Sequence, residues 1–87
     1  MESAMAMRVI QDKEPHIVQD DYGDYLIHVS IKFNVVSGKS DYRVSIGRRD
    51  EPMMNVGGAR EADLQQEALD QGFAIGRAAI DDLLPKP

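Results

Sequence analysis

No cysteine occurs among the 87 residues, which excludes disulfides and every thiolate-ligated zinc or iron-sulfur site. Domains below about 70 to 80 residues usually supplement their cores with such staples. This chain lies just above that limit, so one domain with one apolar core is expected, hiding roughly 60 to 65% of the unfolded surface. Long apolar runs are missing too. Nothing approaches the roughly 20 consecutive apolar residues of a membrane span, and Met1 to Arg8 lacks the basic start and apolar stretch of a signal peptide. These absences give a cytoplasmic protein as the expectation. Positive charge is scarce as well: 10 Lys and Arg against 15 Asp and Glu leave a net charge of -5. That balance speaks against general nucleic-acid binding, whose affinity rests on neutralising phosphates with Lys and Arg.

What is present is ordered by alternation. From Tyr25 to Val35 every odd residue is apolar, while Leu26, His28, Ser30, Lys32 and Asn34 stand between them. Successive side chains of a strand point to opposite faces, so the run predicts a half-buried strand with one wet face. Tyr42, Val44 and Ile46 alternate in the same way after Ser37-Gly38-Lys39-Ser40. A two-residue Gly38-Lys39 turn would set Phe33 opposite Val44 and Ile31 opposite Ile46, and Asn34 opposite Arg43 on the other face. His16 to Gln19 is a further strand, joined to the long one through the turn-like Asp20 to Asp24. Its register is open between a Tyr22-Gly23 turn, the preferred reading, which puts Val18 inward, and a three-residue Asp21 to Gly23 loop, which reverses that. Residues 7 to 11 are compatible with a short strand or a helix end. Pro52 to Arg60, with Gly57-Gly58, reads as a mobile loop. The termini, about 1–6 and 85–87, read as flexible ends.

One long helix follows. Asp63 is placed as its N-cap with Gln66 as capping-box partner, and Pro85 ends it near Leu84. Its apolar residues fill an arc of about 180°, wider than the roughly 100° that one sheet contact needs. Gly72 and Gly76 lie near the centre of that arc, one above the other. Each costs roughly 1 kcal/mol relative to Ala in a helix interior, so a close approach of helix backbone to sheet is expected there. The surplus width predicts self-association, with Phe73 and Leu84 at the dimer contact. The expected fold is α+β: an antiparallel sheet of three to four strands, in two consecutive hairpins, with the helix on its apolar face.

Candidate chemistry is thin. His28 and Ser30, with Ser45 nearby, lack the orienting group, oxyanion hole and pocket that a nucleophilic site requires. His16 with Asp20, Asp21 and Asp24 lacks the spaced oxygens of a calcium loop, and solvated turn carboxylates account for them. Gly57-Gly58-Ala59-Arg60 has no Lys-Ser/Thr, and Glu61 and Asp63 would repel an anion. No catalytic residue, metal or cofactor is therefore assigned. Charge segregation is the sharper signal. Residues 25–49 carry Lys32, Lys39, Arg43, Arg48 and Arg49 against Asp41 alone, whereas residues 1–24 and 61–87 each hold six acids against two bases. Lys32, Asn34, Lys39, Arg43, Arg48 and Arg49 are the candidate partner-binding residues. With no aromatics interleaved to stack bases, a protein partner or a second copy is preferred to nucleic acid. The expected function is a small, non-enzymatic interaction or regulatory module.

The tail Glu67-Ala68-Leu69 through Ala78-Ala79-Ile80-Asp81-Asp82-Leu83-Leu84, behind an acidic-Gly hairpin at Asp21 to Tyr25, resembles HicB-type antitoxins over one hairpin and one helix. Three strands followed by a helix are similar to part of a double-stranded-RNA-binding domain, whose last helix starts Lys-rich where this chain has Glu61-Ala62-Asp63. Both resemblances imply nucleic-acid regulation as the alternative function, and neither assigns individual residues.

Overall fold

A computed structural model describes residues 8–11 and 14–84; the expectations for the ends 1–6 and 85–87 lie outside the described residues. Five strands, β1 (Arg8–Gln11), β2 (His16–Tyr22), β3 (Tyr25–Asn34), β4 (Lys39–Arg48) and β5 (Met54–Ala62), precede one helix, α1 (Gln65–Leu83). The sheet order is β1-β2-β3-β4-β5, with every neighbouring pair antiparallel. The fold is α+β as expected, with five strands where the pattern suggested three to four.

The alternation of β3 sorts the two faces. Ile27, Val29 and Ile31 are buried and meet Ile46, Val44 and Tyr42 of β4 across the ladder. These residues form the core floor with Val18 from β2 and Ala62 from β5, and α1 supplies Ala68, Phe73 and Ile80 above it. Gly72 and Gly76 are where the helix backbone comes down. A Cβ built on Gly72 would stand 2.7 Å from Val29 Cγ2, and one on Gly76 would stand 2.5 Å from Ile27 Cγ2. The Tyr42 hydroxyl, donating to Gln71 Oε1 at 2.9 Å, ties the helix to β4.

Two turns differ from their expected form by an even number of residues, so the faces survive while the partners change. In the second hairpin Asn34 pairs with Lys39 and Ile31 with Tyr42, leaving a four-residue loop. Asn34 is the cause. Its Oδ1 accepts from the Val36 and Ser37 amides at 2.9 and 3.3 Å, and its carbonyl accepts from Gly38 N at 2.8 Å. An Asn side chain that bonds the following backbone initiates a turn by itself, and it does so four residues before the glycine. Lys32 consequently faces Asp41, and Arg43 faces Ser30 rather than Asn34. In the first hairpin Tyr22 pairs with Tyr25 around Gly23-Asp24, and Val18 is inward opposite Val29. Gly23, with φ +62°, takes the positive-φ first position of a type II′ loop.

The segment expected to be a loop is β5. Between its Val44–Val56 and Tyr42–Arg60 pairs, three residues of β5 oppose the single Arg43 of β4. This bulge is made by Gly57 at φ +73°, a conformation that any side chain would strain. The Gly-Gly pair thus bends an edge strand rather than loosening a loop. Asp63 does not cap α1: Leu64 is the N-cap with no side-chain hydrogen bond, and Asp63 lies 3.7 Å from Lys39 Nζ. Phe73 is 2% exposed and belongs to the core, which withdraws it from the dimer contact, whereas Leu84 stays exposed. Most of the wide apolar arc is taken up within the chain, since α1 packs on β2, β3, β4 and β5 together, while Leu64, Leu83 and Leu84 stay exposed.

Candidate functional site

The register separates the six partner-binding candidates. Lys32, Asn34, Lys39 and Arg43 belong to the face turned away from α1, because their cross-strand partners alternate with the core pairs. Arg48 pairs with Tyr25, on the helix side, and its guanidinium lies 5.4 Å from the centre of the Tyr25 ring. The Tyr25 hydroxyl first, and then the Glu51 and Asp24 carboxylates, raise its pKa above the ordinary arginine value. Arg49 reaches the Asp21 carboxylate of β2 at 3.2 Å. The expected single basic ribbon is therefore divided between the outer sheet face and the end of the sheet where α1 stops.

On the outer face the pairing of charges is uneven. Lys39 has Asp63, and the carboxylate of Asp41, although opposite Lys32, accepts from Asn34 Nδ2 at 3.2 Å. Lys32 and Arg43 are both exposed, and neither has an ion pair or hydrogen bond among the described residues. They line one shallow hollow of about 240 Å³ with Ser30, Asp41, Pro15 and Ala59. Ala59 is delivered there by the β5 bulge. Two exposed cations beside one small hollow suit a carboxylate or a phosphate, because each charge-assisted hydrogen bond exceeds a neutral one.

His28 and Ser45 face each other across β3 and β4, yet each is engaged elsewhere. His28 Nε2 donates to Gln19 Oε1 at 2.8 Å, and Ser45 Oγ donates to Asn55 Oδ1 at 3.0 Å; the amide oxygen as acceptor implies the Nε2–H tautomer. Burial lowers the His28 pKa below the ordinary 6.5. The unfolded chain then takes up a proton before the folded one does. The stability that neutral His28 supports is present above about pH 6.5 and is lost as the pH falls from there through the lower folded-state value. Denaturant unfolding of wild type between about pH 7.5 and 5.5 is expected to show a steeper loss on acidification than the His28→Gln variant. Equal slopes would contradict this account.

Among the described residues no group of three or more His, Cys, Asp or Glu is placed to hold a metal ion. The Gly57 to Arg60 segment forms the β5 bulge rather than a loop ahead of the helix, and the Arg60 guanidinium lies over Gly57. No described helix is long and apolar enough to cross a membrane.

A second surface was not legible from the sequence. The β2–β3 turn, the β4–β5 turn and the end of α1 meet around Tyr25, enclosing two adjoining hollows of about 520 and 320 Å³. Met53 and Met54, within the segment Pro52 to Arg60 that reads in the sequence as a loop, line the larger hollow with Leu83. The signal was the Met pair itself, whose location depended on an unrecognised strand. Compared with family models, with curated proteins and with solved structures, the chain matches none.

Proposed function

We propose that this chain is a non-enzymatic interaction module that binds an acidic protein segment through the hollow between Lys32 and Arg43. The observation carrying the reading is that these two exposed cations have no carboxylate partner among the described residues, in a chain with 15 acids and 10 bases. Random placement in such a surplus of acid favours pairing, and Lys39 and Arg49 do pair. An external carboxylate would supply the missing partner. The segment can belong to another protein or to a second copy, since residues 61–87 hold six acids against two bases. Phosphate satisfies the same cations, so nucleic acid is the second reading. It is disfavoured by the side chains available: Tyr22, Tyr25, Phe33, Tyr42 and Phe73 all lie on the helix side of the sheet by register or within the core. The outer face therefore offers no described Phe or Tyr ring for base stacking, and its one described imidazole, His28, is half-buried and bonded to Gln19.

The test is an amide chemical-shift titration with a Glu-rich peptide and, separately, with an RNA duplex. The expected result is a salt-sensitive response to the peptide centred on Ser30, Lys32, Arg43 and Ala59, abolished in Lys32→Glu/Arg43→Glu. Both sites are exposed, so the variant is expected to keep its stability within about 0.5 kcal/mol. A stronger response to RNA would select the second reading. Silence toward both ligands would end the proposal.

A further inference from the structure

The end of the sheet where α1 stops is the chemical opposite of the outer face. Three segments distant in sequence converge there: the turn at Gly23 and Asp24, the turn from Asp50 to Met53, and the last turn of α1. The larger hollow runs from Tyr25 across Met53 and Met54 to Leu83, and the smaller holds Tyr22 and Leu84. Tyr25 and Arg48 border both, so their stack forms a partition between two apolar seats. Met54 and Leu83 are 53% and 52% exposed, and Leu84 is 41% exposed. Large apolar side chains exposed together, rimmed by charge, mark an interaction surface more often than singly scattered ones do. Methionine adds adaptability, since its unbranched thioether repacks around different guests.

The rim determines which guest fits. Asp21, Asp24, Asp50, Glu51, Asp81 and Asp82 stand at this end against Arg48, Arg49 and Arg77. Two of the three cations are occupied within the chain, Arg49 by Asp21 and Arg48 by the Tyr25 ring. The helix adds to the negative sign. Its last turn contains no basic residue, so Asp81 and Asp82 sit beside the negative end of the helix dipole, where cations are the stabilising neighbours. Asp81 is held in place by the Tyr22 hydroxyl, which donates to its Oδ1 at 2.9 Å.

We infer that this end of the molecule is a docking site for a basic amphipathic segment of a partner protein, its apolar side chains seated on Met53, Met54 and Leu83 and its Lys or Arg against Glu51, Asp81 and Asp82. Charge complementarity selects this occupant over an acidic or neutral one. It also converts an arrangement unfavourable in the isolated chain into one favourable in the complex. The site is separate from the Lys32–Arg43 hollow and of opposite sign, so the module would join a basic partner at one surface to an acidic one at another.

The inference is tested with methyl-labelled methionine in the full chain, titrated with a designed Leu/Lys amphipathic peptide and with its Leu/Glu counterpart. The Met53 and Met54 methyls are expected to shift with the Lys peptide. Its affinity should exceed that of the Glu peptide by about tenfold or more and fall with added salt, as screened charge pairs do. Glu51→Lys/Asp82→Lys should remove most of the difference without lowering the melting temperature, since a Lys near the helix C-terminus is favourable, and Lys32→Glu/Arg43→Glu should leave the difference unchanged, which keeps this result independent of the hollow on the outer face. Equal binding of the two peptides, or no methyl shift with either, would overturn the inference. So would sedimentation showing a dimer that Leu83→Ser dissociates, since a second copy would then be the occupant.

Discussion

Replacing Gly76 with alanine is expected to lower the stability of the fold by about 2 kcal/mol, even though alanine is the better helix former by about 1 kcal/mol. The added methyl would lie 2.5 Å from Ile27 Cγ2 and 3.2 Å from its Cδ1 and Cγ1. Cγ2 is bonded directly to Cβ and cannot swing away as the tip of a flexible side chain would. Ile27 is fully buried in the middle strand, between Asp20 of β2 and Ile46 of β4. The helix must therefore rise or tilt, which loosens Ala68, Phe73 and Ile80 along its whole contact. With a thermal midpoint shift of about 4 to 8 °C per kcal/mol for a domain of this size, the variant should melt roughly 10 °C lower. Gly72→Ala, at 2.7 and 2.8 Å from the two Val29 methyls, should act in the same direction. The mechanism has its own signature: Gly76→Ala with Ile27→Ala should be less destabilised than the sum of the single variants, by more than about 0.5 kcal/mol. A rise in melting temperature for Gly76→Ala alone would show that helix propensity outweighs the close approach.

This seat was legible from the sequence because two periodicities specify it independently. Alternation puts Ile27 and Val29 on one face of β3, and the i, i+4 spacing puts Gly72 and Gly76 on one face of α1. Neither depends on which residues oppose each other across a turn. Register does, and there the pattern was insufficient: a shift by two or four residues leaves every apolar residue facing inward, so hydrophobicity cannot choose between such registers. The choice fell to the Asn34 side chain, a polar group acting locally on backbone amides. β5 was illegible for a related reason. An edge strand is held by a ladder on one side only, and Gly57-Gly58 breaks the alternation where the bulge forms, leaving Val56 and Ala62 as sparse inward signals.

The candidate sites divide along the same line. Charge segregation identified the basic stretch, and exposure of Lys32 and Arg43 follows from β3 and β4 having one wet face. Which cations remain without a carboxylate depends on strand register and on Asp63 leaving the helix terminus for Lys39. The groove at the end of α1 is less accessible still to sequence reasoning, because it is assembled from three turns. Only the complete strand order brings Asp24, Glu51 and Leu83 to the same end of the molecule.

Phe73→Ala is expected to cost about 3 to 5 kcal/mol, the range for truncating a buried aromatic ring. For a small domain whose whole stability is of order 5 to 15 kcal/mol, that loss leaves little folded protein at elevated temperature. The size of the effect follows from position rather than residue type. Phe73 is 2% exposed on the helix face shared by Ala68, Gly72, Gly76 and Ile80, and the seating of Gly72 and Gly76 on Val29 and Ile27 limits how far α1 can settle into the space left behind. Phe73→Leu keeps most of the volume and should cost about 1 kcal/mol. Leu84→Ala, at an exposed position beyond the helix end, should change stability by less than about 1 kcal/mol. A core role and an interface role differ in one measurable respect. If Phe73 supports the fold of each chain, its loss is the same at every protein concentration; if it joined two chains, the melting temperature of the wild type would rise with concentration and the variant would abolish that rise. Denaturant unfolding at two concentrations about a hundredfold apart separates the cases. A loss below about 1 kcal/mol, or one that appears only at the higher concentration, would remove Phe73 from the core and return it to the dimer contact that the breadth of the helix arc suggests.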